Sequence, residues 1–265
     1  MNMYDSYFNV NKATWDLKAG YHAASAFYDL DAFKSGKSSL NSYELGALSD
    51  VAGKSLLHLQ CHFGQDTLSW SRLGAQCVGV DFSNKAIEIA ESLNKELALD
   101  ARFFCGNVLD TAQLVNEKFD IVYTSYGDVG WLPDLKPWAA MIANCLKPGG
   151  IFYMVEFHPL VWMFDYTKQP AVLKYAYNET QMIYEEYKGT YAEPEAPMIS
   201  KECTWNHGLG TVVNALIEAG LTVKFLREHD ASPYNILPEL IKTKSGFETK
   251  DKLYPLIYEL KATTI

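Results

Sequence analysis

Between Ser55 and Glu156, short apolar runs alternate with stretches whose apolar residues recur every three to four positions. That is the pattern of strands exchanging with amphipathic helices. SLLHLQ (55–60) and QCVGVD (76–81) read as the first two strands, with TLSWSRLG (67–74) between them as a short helix closed by Gly74. SNKAIEIAESLNKELAL (83–99) carries Ser83 as an N-cap and places Ala86, Ala90, Leu93 and Leu97 on one helical face. ARFFCGNV (101–108) and FDIVYTSY (119–126) follow as strands, then WAAMIANCL (138–146) as a helix ended by Lys147-Pro148-Gly149-Gly150, then IFYMVEFH (151–158) as a fifth strand. Such an order predicts a doubly wound, mostly parallel α/β sheet with ligands beyond the carboxyl ends of its strands.

The flanks differ. Residues 1–50 read as a helical N-terminal cap with aromatics at Trp15, Tyr21, Phe27, Tyr28 and Phe33. Residues 159–205 are strongly aromatic and strand-like, and are expected to form an insertion after the fifth strand that covers the site. GTVVNALIEAGLTVKFLREHD (210–230) returns to helix, a stop at Gly220, then strand, and YPLIYELKATT (254–264) reads as the final strand. Residues 51–265 thus form one domain with a seven-stranded sheet.

Composition narrows the function. A formal net charge of −9 argues against a broad phosphate-binding face, so no nucleic-acid partner is expected. No apolar stretch is long enough to span a bilayer, and the N-terminus lacks the basic and apolar regions of a signal peptide. Cys61, Cys77, Cys105, Cys145 and Cys203 are scattered without a CxxC pair, which disfavours a disulfide framework. The expected location is the reducing cytoplasm, with no membrane partner.

Asp81 ends the second strand 17 residues beyond Gly64. A carboxylate there can accept both hydroxyl hydrogens of a ribose, or it can help cap the following helix. Asn107, in Gly106-Asn107-Val108, can hydrogen-bond an adenine amino group while Val108 lies against the ring; an ordinary turn is the alternative. The loop QCHFG (60–64) raises a third question, because His58, Cys61 and His62 suggest zinc. Side chains alternate along a strand, however, and three ligands within five residues do not readily enclose a tetrahedral ion, so no metal is expected. The dinucleotide pattern GxGxxG is absent, which disfavours a nicotinamide cofactor.

Taken in order, LLHLQCHFG, GVDFS, FFCGNV, FDIVYTS and LKPGG resemble the class I S-adenosylmethionine-dependent methyltransferases over roughly residues 50–158. The resemblance implies a Rossmann-like methyltransferase fold, with S-adenosylmethionine as cofactor and S-adenosylhomocysteine as product. It implies that Gln60, Cys61, His62, Phe63 and Gly64 cradle the methionine part and that Asp81, with Phe82 and Ser83, holds the ribose. Asn107 and Val108 would take the adenine, and Thr124 and Ser125 would lie beside the sulfonium. The opening loop departs from the family: His58 stands for its usual acid, and Gln60 and His62 stand for two glycines. Both side chains fit if the chain turns there without positive φ.

For the methyl acceptor, the rings of Tyr126, Trp131, Trp162 and Trp205, together with Tyr166 and Tyr184, are candidates for binding an apolar or aromatic small molecule. His158, ending VEFH, and His207, in TWNHGLG, are candidate general bases, each with a loop-bonded structural role as the alternative. TSYGDVGW after the fourth strand contains no Asn-Pro-Pro-Tyr box, which argues against methylation of DNA or protein amides. Methyl transfer to a small molecule is therefore expected. A nucleoside-binding protein without turnover and a metal-dependent hydrolase using His58 and His62 are the other readings. Sequence sets neither the acceptor atom nor an oligomeric state.

Overall fold

The computed structural model describes residues 4–168, 170–178 and 180–265. Three helices come first: α1 (Asp5–Ala24), α2 (Leu30–Lys34) and α3 (Ser42–Ala47). Then β1 (Ser55–Leu59), α4 (Gln65–Arg72), β2 (Gln76–Asp81), α5 (Asn84–Glu96), β3 (Arg102–Cys105), α6 (Thr111–Val115), β4 (Phe119–Ser125), α7 (Leu135–Cys145) and β5 (Leu146–Phe157) alternate. After a long excursion the chain adds α8 (Leu209–Glu218) and two more sheet strands, Thr222–His229 and Ile257–Thr263.

The seven-stranded sheet has the order β3, β2, β1, β4, β5, Ile257–Thr263, Thr222–His229. The first five strands are parallel, and Ile257–Thr263 runs antiparallel to both of its neighbours. This is the Rossmann-like methyltransferase fold. Its centre follows from sequence directly: Leu56, Leu57 and Leu59 are buried in β1 because helices cover both faces. Trp138 of α7 packs with Val122 and Phe152 on one face, while Trp70 of α4 packs with Tyr123 and Tyr153 on the other. Burying each large side chain contributes about 1.5–3 kcal/mol.

Several boundaries differ from expectation for local reasons. Helix α4 starts at Gln65, because Gly64 takes φ 80 as its N-cap. Strand β3 stops at Cys105; the Asn107 side chain accepts the Leu109 N–H at 3.0 Å and opens a short 3-10 turn. Asp134 accepts the Lys136 N–H at 2.9 Å, so α7 begins at Leu135. Strand β5 begins at Leu146, with Gly149 at φ 72 and a register shift opposite Phe119–Ile121. A small three-stranded sheet, formed by Ala231–Ser232, Gly246–Glu248 and Ile241–Thr243, was not anticipated.

Within residues 159–205 the main element is an antiparallel hairpin of Ile183–Lys188 and Ile199–Thr204. Helix α1 lies along the outer edge of Ile199–Thr204. Asn11 Nδ2 donates to the Cys203 carbonyl and Asn11 Oδ1 accepts the Cys203 N–H, both at 2.8 Å. One turn later, Thr14 Oγ1 donates to the Lys201 carbonyl at 2.7 Å and accepts its N–H at 3.2 Å. A further turn along, the buried Lys18 ammonium pairs with Glu202 and donates to Tyr187 at 3.1 Å. Among the described residues, no helix is long and apolar enough to cross a membrane.

Candidate functional site

The loop after β1 retains the backbone of a glycine-rich turn without the glycines. Gln60 has φ 52 and His62 φ 49, so both occupy the left-handed region, and the expected turn without positive φ is corrected. That conformation costs roughly 1–2 kcal/mol for a residue with a Cβ. Hydrogen bonds offset it: Gln60 Nε2 donates to the Asp128 carbonyl at 2.9 Å, and the His62 N–H donates to Asp81 Oδ2 at 2.9 Å. The Cys61 N–H donates to the Val80 carbonyl at 3.0 Å, and the side chains of Cys61 and Phe63 are buried beneath the loop.

Gly64 is required twice over. Beyond its φ of 80, a Cβ there would stand 2.7 Å from Cε1 of Phe103, whose ring lies equally close to the Cβ position of Gly79. Gly64→Ala is expected to destabilise the protein by about 2–3 kcal/mol in urea unfolding, combining backbone strain with overpacking.

At the neighbouring strand ends, Asp81 accepts the His62 and Ser83 N–H groups, the latter at 2.8 Å. Burial pushes its carboxyl up to about 6, against the two hydrogen bonds that lower it. Asp81, Phe82, Asn107 and Val108 all line one cavity with the 60–64 loop. Ser83 is not on that cavity: its hydroxyl caps α5 through the Ala86 N–H and donates to Asp16 at 2.7 Å. Thr124 is also absent from the lining, because it is fully buried and donates to Asp128. Ser125 does line it and donates to Asp66 Oδ2 at 3.2 Å.

Two acids that sequence reading did not assign to the site organise this wall. Asp128 accepts from the Thr124 hydroxyl and from the Ser125 N–H at 2.9 Å. Glu156 accepts the N–H groups of Gly127, Asp128, Val129 and Phe157. Burial raises both carboxyls, and the charge of Glu156 raises Asp128 further. Asp66, in the first turn of α4, was also unassigned; it accepts from Ser39 Oγ at 2.6 Å and faces the cavity.

The cavity encloses about 760 Å³, towards the upper part of the range for ligand sites. Tyr126, Trp131, Trp162 and Trp205 all stand on it, whereas Tyr166 and Tyr184 do not. Tyr126 meets Tyr234 edge-on at 5.0 Å, and Trp131 meets Trp15 of α1 at 5.3 Å, so helix α1 and the 231–248 segment supply rings that were not foreseen.

The two histidine candidates separate. His158 is off the cavity: it is 2% exposed, its Nε2 lies 2.9 Å from Glu228, and its Nδ1 accepts the Leu160 N–H. Of the two roles expected for it, general base or loop-bonded structural group, this place fits the second, since the chain turns into a 3-10 helix, Pro159–Met163, that the imidazole caps. His207 lies on the cavity with Nε2 2.7 Å from the Leu132 carbonyl. A carbonyl only accepts, so Nε2 carries the hydrogen and the neutral ring keeps its lone pair on Nδ1. Burial holds the imidazole below the usual histidine range. His58 turns to Thr67 Oγ1 at 2.8 Å while His62 turns to His22, and among the described residues no group of three or more His, Cys, Asp or Glu is placed to hold a metal.

A doubly wound sheet whose first, second, third and fourth strands all end on one cavity, with an acid at the second, defines a nucleoside-type site. Comparison with known proteins agrees. Residues 56–150 match the family model of a methyltransferase domain. An uncharacterized methyltransferase of Synechocystis is 29% identical over 131 residues, 49% of this chain and 59% of that one. A ubiquinone biosynthesis O-methyltransferase of Xanthomonas oryzae is 28% identical over 134 residues, again 49% of this chain and 56% of the relative. The chain thus matches little more than half the length of these curated relatives. The crystal structure of a S-adenosylmethionine-dependent methyltransferase from Mesorhizobium loti superposes with a TM-score of 0.56 at 18% identity, covering 87% of this chain and 99% of that one, a likeness of fold. Residues 56–150 thus resemble a methyltransferase domain, and the fold of the chain is that of S-adenosylmethionine-dependent methyltransferases.

Proposed function

We propose that this protein transfers a methyl group from S-adenosylmethionine to a small-molecule acceptor. The observation that carries the reading is the convergence of Asp81, Asn107 and the 60–64 loop on one side of a cavity whose remainder is walled by aromatic rings. The residues fit the cofactor. Asp81 is a buried carboxylate with acceptor capacity beyond its two backbone donors, suited to ribose hydroxyls. Gln60 Oε1 is buried without a partner among the described residues, suited to an ammonium. Asn107 and Val108 would hold the adenine, and Ser125 would lie at the sulfonium.

When bound, the cofactor supplies an electrophilic methyl group. The chain contributes position, dryness and a proton acceptor. Trp131, Trp162, Trp205 and Tyr126 hold an apolar or aromatic acceptor and exclude water. Helix α1 and the 183–204 hairpin act as cap and lid over that space. His207 Nδ1, bare because Nε2–H is spent on Leu132, takes the acceptor's proton. A concave pocket walled by aromatic rings and a net charge of −9 favour a small molecule over a polymer, and five free thiols favour the cytoplasm.

Calorimetry with S-adenosylmethionine and S-adenosylhomocysteine tests the reading; no heat from either would remove the cofactor. Binding without methyl release across a broad acceptor panel would leave a nucleoside-binding protein. Once an acceptor is in hand, His207→Ala is expected to lower kcat about 100-fold, in the range of general-base effects, with little change in cofactor affinity.

A further inference from the structure

Asp66 differs from the other acids on the cavity. Asp29, Glu185 and Glu202 pair with Lys37, Lys174 and Lys18, while Asp81, Asp128 and Glu156 accept backbone N–H groups. Among the described residues Asp66 has only hydroxyl partners: Ser39 at 2.6 Å, Ser125 at 3.2 Å and Tyr123 at 3.4 Å. It is partly exposed and lines the cavity. His58 feels its charge, but burial pushes that imidazole down to about 4, so the ring is neutral near pH 7 and offers no counter-charge. Behind this wall stands a second acid, Glu44 of α3. It is 0% exposed, and its Oε2 has no partner among the described residues. Burial, and then the charge of Asp66, push its carboxyl up to about 7. Neither acid is ion-paired among the described residues, so this part of the cavity carries uncompensated negative charge.

Aromatic rings surround it. Tyr28, Tyr126 and Tyr234 line the cavity, and the Asp66 charge adds to burial in raising each of their phenols. Phe27 stacks on Tyr234 at 5.7 Å and meets Tyr28 at 5.1 Å. The hydroxyls of Tyr126 and Tyr234 both accept from Asn41 Nδ2, at 3.4 and 3.3 Å, and Asn41 Nδ2 lies 3.5 Å from Glu44 Oε1. A carboxylate without a counter-charge, set among electron-rich ring faces, attracts a cation: the charge bonds its N–H groups and the rings take the place of water around it. An anion would meet two acids. Ser39, Tyr28 and Tyr234 belong to the cap and to the segment after Thr222–His229, outside the strand ends that face the nucleoside, whereas Ser125 links Asp66 to the end of β4. The lobe therefore belongs to the acceptor. Resting on the proposed methyl transfer, we infer that the acceptor is a cationic amine, and that Asp66 receives its ammonium within the rings of Tyr28, Tyr126 and Tyr234.

Calorimetry on protein saturated with S-adenosylhomocysteine tests this with amine–alcohol pairs of matched shape, hexylamine with hexanol and tryptamine with tryptophol, and with indole-3-acetate as the anion. At least one amine should bind roughly tenfold tighter than its alcohol, and indole-3-acetate more weakly than either indole partner. Asp66→Asn keeps the shape and an acceptor oxygen but not the charge. It should abolish the preference for the amine and leave the affinities for the alcohol and for S-adenosylhomocysteine unchanged. Alcohols binding as tightly as amines, no binding of either amine, or a preference that survives Asp66→Asn overturns the assignment. So does an Asp66→Asn protein that binds S-adenosylmethionine more weakly but S-adenosylhomocysteine as before, because Asp66 would then serve the sulfonium. Failure of wild-type protein to bind either nucleoside overturns the cofactor reading instead, and the amine–alcohol comparison is then made on the protein alone. Should Asp66→Asn fail to fold, nuclear Overhauser contacts from tryptamine decide: contacts to the rings of Tyr126 and Tyr234 support the site, and contacts elsewhere overturn it.

Discussion

Asp81→Ala is expected to weaken S-adenosylmethionine binding about 100-fold in calorimetry. A hydrogen bond to a charged acceptor contributes about 1.5–3 kcal/mol, and two ribose hydroxyls would lose theirs. Even the low end sums to about 3 kcal/mol, or two decades of affinity. The variant also frees the His62 and Ser83 N–H groups, so the loop that faces the ligand loses its anchor to β2. A pH series adds an independent check. Burial raises the Asp81 carboxyl to about 6, above its unfolded value, so the folded protein binds this proton more tightly than the unfolded chain. The contribution of Asp81 to stability therefore declines as pH rises from about 4 to about 6 and is constant above. Ligand hydroxyls require the carboxylate, so affinity should fall with acidification, about tenfold weaker at pH 5 than at pH 7. A flat profile, or Asp81→Ala binding as tightly as wild type, would take Asp81 out of the ribose site.

Glu156→Ala should be the most damaging single change to the acceptor wall. Its carboxylate, on a residue only 2% exposed, collects four backbone N–H groups, from Gly127, Asp128, Val129 and Phe157. Leaving a buried donor unpaired costs about 1–3 kcal/mol, so a total loss of at least about 3 kcal/mol is expected in urea unfolding. The damage should also spread. Asp128 sits on the turn that Glu156 holds, and Asp128 in turn holds Thr124, Ser125 and, through its carbonyl, Gln60. Cofactor affinity should fall in protein that remains folded. Glu156→Gln keeps one acceptor oxygen but turns an NH2 towards donors, and should lie between the two.

Much of the sheet was legible because β1, β2 and β4 are buried on both faces, and such strands appear as unbroken apolar runs. Asp81 was legible for a related reason: its distance from Gly64 is set by one helix and one strand. Contacts across the sheet were not. Glu156 and Asp128 meet because β4 and β5 are parallel neighbours, pairing Ser125 with Val155, and two acids 28 residues apart announce nothing along the chain. His158 misled because a strand's carboxyl end points to the ligand side only until the chain turns, and Pro159 turns it at once. The pairing of His22 with His62 is equally silent, since it depends on how α1 docks. Gln60 and His62 are the subtler case: the residue types argued for a different turn, yet the backbone kept the geometry that glycine normally supplies.

The bonds from Asn11 and Thr14 to Cys203 and Lys201 have a further meaning. They satisfy the outward-facing backbone of Ile199–Thr204, which would otherwise be an open strand edge. An open edge is a template on which another molecule can add a strand. Helix α1 therefore closes that edge: it occupies with side chains the very groups that an added strand would need.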